Sequence, residues 1–398
     1  METVIINAKL VSGGKTVEDG ALVIQDGVIQ YAGPREGWAL GLAYSNSAGP
    51  AYDIVDAGGG WIVPGFVDIH IHGGYGSDFM DASEEAIGTI TRFHAQHGTT
   101  TLLATTMTQT KERIDAVLET VAGYSRSDAR AAKVAGVHLE GPFISPRYPG
   151  SQNPAHIVDP DLEWMKEWQS RFPGLVKIVT MAPEREGALP VIRYGSEHGI
   201  VMSAGHTAAV RAEMEAAIEA GLRHSVHMFN AMTPLHHREP GVVGTIMARD
   251  EMSAEIIADG IHVHPLCVGI MARLKDKGNL VLITDAMSAA GLGDGMYKLG
   301  GLDVIVKGRE ARLYEGDSLA GSTLTMAEGF RFMVREIGLT VPEASLLASA
   351  NPARMIGMDG KLGDIRPGYA ADLVWLSEEL ELKQVWIDGQ PVKEYAAV

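Results

Sequence analysis

The sequence predicts an α/β protein: a (β/α)8 TIM-like barrel with a small β-sandwich domain built from both chain termini. Three observations predict it. Eight short apolar runs alternate with helix-compatible segments through the middle of the chain. Both ends carry β-branched runs closed by Asp-Gly turns. The length, 398 residues with 46% apolar and 21% charged, suits one barrel with additions.

From the N-terminus, Val4-Ile5-Ile6 is apolar and β-branched. Ala21-Leu22-Val23-Ile24 runs through Asp26-Gly27 into Val28-Ile29-Gln30-Tyr31, a strong hairpin signal. Residues 33–52, rich in Gly, Ala, Ser and Pro, read as a long surface loop. The far end repeats the pattern with Asp372-Leu373-Val374-Trp375-Leu376, then Val385-Trp386-Ile387 and Asp388-Gly389. Neither end can bury a face alone, so the two should pair in one domain, 1–57 with 357–398, leaving 58–356 as the barrel.

The eight runs are Ile62–His70, Thr100–Thr105, Val134–Glu140, Val176–Ala182, Ile200–Gly205, His224–Met228, Ala254–Ala258 and Leu280–Asp285. Segments between them, such as Glu84–His97, Lys111–Tyr124, Asp161–Phe172, Glu186–His198 and Val210–Gly221, have helical composition or periodicity. The glycine count, 47, fits many tight strand-to-helix turns. Gly291-Leu292-Gly293-Asp294-Gly295 opens no Rossmann-type unit and reads as a flexible loop over the barrel mouth.

With 33 Lys+Arg against 50 Asp+Glu, the net charge is −17, which opposes general binding to nucleic acid or anionic membranes. The one cysteine, Cys267, excludes a disulfide framework and reads as a small buried residue. Met1-Glu2-Thr3-Val4 lacks the basic start of a signal peptide, and no run has the roughly 18 apolar residues of a membrane span. The expectation is a soluble, cytoplasmic enzyme.

Barrel active sites lie at the C-terminal ends of the strands. The first run ends in Asp68-Ile69-His70-Ile71-His72, where strand alternation points His70 and His72 the same way. The third ends at Glu140, the fifth at His206, the sixth carries His227 and the eighth ends at Asp285. A His-X-His pair means little among 14 histidines, and a lone terminal carboxylate is often a helix cap. Four histidines and two carboxylates at the ends of five strands make a ligand set for two divalent metals. His138 shares Glu140's face one layer deeper and reads as a hydrogen-bonded supporting group.

The run Pro64-Gly65-Phe66-Val67-Asp68-Ile69-His70-Ile71-His72 resembles the metal signature of the amidohydrolase superfamily. His138-Leu139-Glu140-Gly141-Pro142-Phe143, Ser203-Ala204-Gly205-His206-Thr207 and His227-Met228-Phe229-Asn230-Ala231-Met232 are similar to the N-acetylglucosamine-6-phosphate deacetylase family within it. So are Arg238-Glu239-Pro240-Gly241, Ala258-Asp259-Gly260-Ile261-His262 and Leu319-Ala320-Gly321-Ser322. The resemblance implies that Glu140, His206 and His227 hold the main metal and that His70 and His72 hold a second, zinc or iron, with Glu140 able to bridge. It implies Asp285 as general acid/base, taking a proton from water and returning it to the leaving amine. Asn230, Ala231, Arg238, Asp259, Gly260, Ile261 and His262 would surround the sugar phosphate, with Leu319, Ala320 and Gly321 lining the sugar pocket. Ser151 and Gln152 would also bind substrate; some members carry His where this chain has Gln152, which can hydrogen-bond a hydroxyl but cannot titrate. The implied substrate is a phosphorylated amino sugar, and the implied assembly is a homodimer sharing Arg238. Competing readings are the galactosamine epimer, a cyclic-amide hydrolase or nucleobase deaminase on the same barrel, and a non-catalytic scaffold. The scaffold predicts lost ligands, and all six ligand and catalytic positions are intact.

Overall fold

A computed structural model of the chain describes residues 2–38, 52–125, 128, 130–275 and 278–393. Residues 39–51 of the expected surface loop lie outside the described residues. All eight apolar runs form parallel strands. Six make one sheet in chain order: Phe66–Asp68, Thr99–Thr105, Lys133–Glu140, Val176–Met181, Val201–Ala204 and His224–Ser225. The other two, Ala254–Ile257 and Leu280–Ile283, pair with each other. Further backbone bonds join the two sheets at both edges. Ser225 donates to Ser253 at 3.0 Å and Met228 to Glu255 at 3.0 Å; on the other side Asp285 donates to His70 at 2.9 Å.

The run expected as one strand, Ile62–His70, is two. Trp61–Pro64 belongs to the terminal sheet, and the chain turns at Gly65 before Phe66–Asp68 joins the parallel sheet. Gly65 is needed there, because a Cβ would lie 2.2 Å from Thr100 Oγ1. The helices follow their sequence signals closely. Glu84–Gln96 is capped by Ser83, Lys111–Gly123 by Thr110 and Leu162–Arg171 by Asp161.

Strands from both ends share one eight-stranded mixed sheet. Its order runs from Gln390–Pro391 through Leu382–Ile387, Leu373–Leu376, Trp61–Pro64, Glu2–Ser12 and Lys15–Gln25 to Val28–Pro34, with Tyr52–Asp56 parallel to Glu2–Ser12. Asp26 and Gly27 take the positive φ angles of the expected hairpin, 50° and 78°. Ile5, Leu22, Ile24, Ile29, Ile62, Leu373 and Trp386 pack together in one buried cluster. Lys133, at the start of the third parallel strand, pairs with Asp372 at 2.9 Å and Asp388 at 2.5 Å, tying this sheet to the parallel one.

One element went unread. After the eighth strand, Gly295–Leu299, Leu302–Lys307 and Glu310–Leu313 form an antiparallel three-stranded sheet that follows the expected loop and takes up only its last residue, Gly295. Gly300 and Gly301 at its first turn have φ of 56° and 91°, so glycine here marks a hairpin rather than a mobile tether. Cys267 is half-buried in helix Pro265–Leu274. Among the described residues no helix is long and apolar enough to cross a membrane.

Candidate active site

The strand ends bring six side chains to one point. Glu140 Oε1 lies 3.1 Å from His206 Nε2, 3.0 Å from His227 Nε2 and 3.3 Å from His70 Nε2. His72 Nε2 lies 3.3 Å from Glu140 Oε2 and 3.1 Å from Asp285 Oδ1, while His70 Nε2 is 3.7 Å from that same Asp285 oxygen. All six residues are buried. Two donor sets, His70/Glu140/His227 and His70/His72/Asp285, each have their atoms within 4.8 Å of one another.

Backbone strain accompanies this convergence. His206, His227 and Asp285 have φ of 48°, 24° and 51°, a region that side chains other than glycine seldom occupy. Each is held by hydrogen bonds: His206 O accepts from Ser145 N, His227 N donates to Glu255 Oε2, and Asp285 O accepts from Ser322 N at 2.7 Å. The strain turns each side chain inward two residues past the end of its strand. Gly205, before His206, admits the sixth strand closely, since a Cβ would meet Val226 Cγ2 at 2.2 Å.

The site fits a cation. His206 Nδ1 faces Tyr148 O at 3.2 Å, so Nε2 presents its lone pair inward. His206 Nε2 and His227 Nε2 face each other at 3.2 Å, and His70 Nε2 is buried with no hydrogen-bond partner. Lone pairs and carboxylate oxygens this close repel unless positive charge sits among them. The protonation balance says the same. Burial would strip the proton from His72, but Asp285 and Glu140 push its imidazole up to about 9. Burial would raise Glu140, yet His70, His206 and His227 hold it well below the usual carboxylate range. A divalent ion supplies the same compensation without protonating its ligands.

Above this floor opens a cavity of about 550 Å³, in the range of small-molecule sites. Ser151, Gln152, Asn230, Ala231, His262, Leu319 and Gly321 line it, as do His72, Glu140, His206, His227 and Asp285. Gln152 is fully engaged: its Nε2 donates to Glu140 Oε2 at 2.6 Å and its Oε1 accepts from Thr108 N at 2.7 Å. It therefore orients the central carboxylate. Asp259, Gly260, Ile261 and Ala320 do not line the cavity. Asp259 instead grips His262 Nδ1 at 2.7 Å and caps the backbone N–H groups of Ile261 and His262. Burial opposes charge on His262, but that bond and the Asp259 charge raise its pKa above the ordinary value. The loop carrying Arg238 stands outside the cavity, with its guanidinium 2.8 Å from His237 Nε2.

Sequence reading missed Arg147, Tyr148, Ser318 and Arg312 on the cavity wall. Arg312 is neutralised by Glu310 and Asp317, whereas no ion pair engages Arg147 among the described residues. It also missed Glu255, although a lone carboxylate inside Ala254-Glu255-Ile256-Ile257 was a visible signal. His138 is a supporting group, between Ile69 O at 3.0 Å and Thr180 Oγ1 at 2.7 Å.

A buried His/carboxylate cluster at the strand ends of an α/β fold, under a polar cavity, defines the class of metal-site hydrolases. The chain belongs to the amidohydrolase family, whose family model matches residues 61–392. It is 40% identical over 372 residues, 92% of this chain and 94% of the relative, to N-acetylglucosamine-6-phosphate deacetylase of Bacillus subtilis. It is 38% identical to N-acetylgalactosamine-6-phosphate deacetylase of Escherichia coli O157:H7, covering 83% of this chain and 87% of the other. A mutant N-acetyl-D-glucosamine-6-phosphate deacetylase of Mycobacterium smegmatis, solved with N-acetyl-D-glucosamine-6-phosphate, superposes with a TM-score of 0.88 at 34% identity, covering 98% and 99% of the two chains.

Proposed function

We propose that this chain hydrolyses the acetamide of N-acetyl-D-glucosamine 6-phosphate to D-glucosamine 6-phosphate and acetate. The observation that carries the reading is the convergence of Glu140, His206, His227, His70 and His72 with Asp285 beneath the cavity, in a chain so similar to known deacetylases. Glu140, His206 and His227 would hold one divalent ion, and His70 and His72 a second, zinc or iron, with Glu140 between. When bound, such ions acidify water and polarise an amide carbonyl.

The chain's own residues supply the rest. Burial would keep Asp285 protonated, but its hydrogen bond to His72 and the charge of His70 lower its pKa, so it enters the reaction as a base. It accepts the proton of the attacking water and returns it to the departing nitrogen, which otherwise leaves as a strongly basic anion. His262, anchored through Nδ1 on Asp259, offers Nε2–H to the acetyl oxygen or a ring hydroxyl. Arg147 is a cation on the wall free to meet the 6-phosphate, and a guanidinium fork suits phosphate oxygens. Arg238, which is exposed and does not line its own cavity, is suited to the site of a neighbouring subunit in a homodimer.

We also read the two parallel sheets as one closed (β/α)8 barrel; the edge bonds from Ser225, Met228 and Asp285 support closure. The expected composite β-sandwich of 1–57 with 357–398 is better read with its first boundary at Gly65, because Trp61–Pro64 lies within the sheet that both termini share. Acetate release from the 6-phosphates of N-acetylglucosamine and N-acetylgalactosamine, and from the unphosphorylated sugars, tests the activity. The expected result is turnover of the glucosamine 6-phosphate in preference to the other three. Preference for the galactosamine epimer, which the Escherichia coli relative favours as the second reading, would move the assignment to that sugar. Equal turnover with and without phosphate would remove the phosphate from it.

A further inference from the structure

Glu255 is a buried carboxylate that the chemistry above leaves unused. It stands in the strand Ala254–Ile257 with no exposure, flanked by apolar residues on both sides. No Lys or Arg pairs with it among the described residues. Replacing a buried ionic cluster with well-packed apolar residues is often neutral or stabilising for a fold, so its presence calls for a gain elsewhere.

Its contacts show where that gain lies. Oε2 accepts from His70 Nδ1 at 2.8 Å and from the backbone N–H of His227 at 3.2 Å. Oε1 meets His224 Nε2 at 3.0 Å, and His224 Nδ1 in turn lies 2.8 Å from Ser253 Oγ. The backbone carbonyl of Glu255 accepts from Met228 N at 3.0 Å. One residue thus reaches two members of the cation cluster that come from different strands.

We infer that Glu255 is a positioning residue: it holds His70 and the His227 turn so that both rings present Nε2 to the cation site, and it thereby sets how firmly the ion at His70 and His72 is retained. An imidazole that donates Nδ1–H to a carboxylate keeps its other nitrogen as a lone pair. That is the unpaired His70 Nε2, 3.3 Å from Glu140 and 3.7 Å from Asp285. His227 needs a different device. Its Nδ1 has no hydrogen-bond partner, so its orientation depends on a backbone held at φ 24°. Glu255 holds that turn twice, by its side chain at His227 and by its carbonyl at Met228.

The inference rests on the metal-dependent reading above, and its test separates the two. Full-length wild type, Glu255→Gln and Glu255→Asp are loaded with zinc and desalted. Zinc per chain is counted, and zinc loss to a chromogenic chelator is timed. Melting of the zinc-free proteins is followed in parallel. Gln keeps the size and can still accept from His70 and His227, but it loses the charge and turns an N–H toward His224. Asp keeps the charge and withdraws it by one methylene. Both should retain the weaker-held zinc about 10- to 100-fold less well than wild type. Zinc-free Glu255→Gln should melt below zinc-free wild type, because His70 and His224 lose their buried carboxylate partner, so melting serves to show that the variant still folds cooperatively. A merely structural role would lower the zinc-free melting temperature and leave zinc retention unchanged. Variants that keep zinc as wild type does overturn this inference alone. Wild type that binds neither zinc nor iron(II) overturns the metal-dependent reading, and this inference falls with it. Should Glu255→Asp fail to fold, the isosteric Gln decides.

Discussion

At the residue scale, reactivity depends on a few side chains whose ionisation is set by their neighbours. Asp285→Asn keeps the shape but cannot carry a proton, so kcat should fall by about 10²–10⁴-fold while substrate binding stays near normal. Steady-state kinetics with the 6-phosphate sugar check this; a variant retaining a tenth of wild-type kcat would assign the base elsewhere. His262 allows a sharper measurement. Its pKa is raised because Asp259 outweighs burial, so its positive charge is complete at low pH and is lost as pH rises through the folded value. Asp259→Asn removes that support, so the alkaline limb of the kcat/KM profile should move to lower pH. An unmoved limb would mean that His262 acts as a neutral donor. Asp259 was expected to touch substrate, and its residue type gave no warning otherwise. A carboxylate three residues before a histidine can face either the cavity or that ring, and only the loop's path decides.

At the element scale, helices follow their caps and strands follow their apolar runs, because both signals are local. Ser83, Thr110 and Asp161 each bond the first-turn backbone of the helix they precede. The inserted three-stranded sheet was equally local, with Val304 and Val306 inward and Asp303 and Lys307 outward. The glycine-rich run before it masked that alternation. Contacts between helices are another matter. Asp115, on Lys111–Gly123, accepts from the buried Trp168 Nε1 at 2.6 Å and pairs with Lys111 and with Arg171 of Leu162–Arg171. Burial raises the Asp115 pKa, but bonds from Lys111, Trp168 and Arg171 more than reverse this and lower it. Its stabilisation is therefore present above the unfolded carboxylate pKa and is lost as pH falls through the lower folded value. Asp115→Ala should cost about 1–3 kcal/mol at neutral pH by leaving the Trp168 N–H unpaired. In denaturant titrations that difference should shrink as pH falls below the ordinary carboxylate range. A constant difference would assign the loss to packing.

At the scale of the whole molecule, the two ends of the chain share one sheet, and Lys133 ties it to the parallel strands through Asp372 and Asp388. Arg238 poses the question of assembly, since it is exposed beside its own cavity rather than in it. If it serves a partner's site, Arg238→Ala and Asp285→Asn proteins, each weak alone, should regain activity when mixed and allowed to exchange subunits. Mixed dimers then contain one site with both lesions and one with neither. Demonstrated exchange without recovery would place Arg238 in its own subunit's service.

The sequence by itself determined the eight parallel runs, the helices between them and the six residues that converge near the strand ends. Apolar runs and capping residues are local signals, and the polar residues that end or closely follow the parallel strands share the same end of the sheet. Tertiary structure decided what the loops and the buried lining do. Gln152, on the cavity wall, holds Glu140 and the Thr108 N–H, and Asp259 holds His262. Glu255 lies beneath His70 because a strand 185 residues away in sequence packs against it. Such orientations are chosen by hydrogen-bond partners remote along the chain, and no local pattern encodes them.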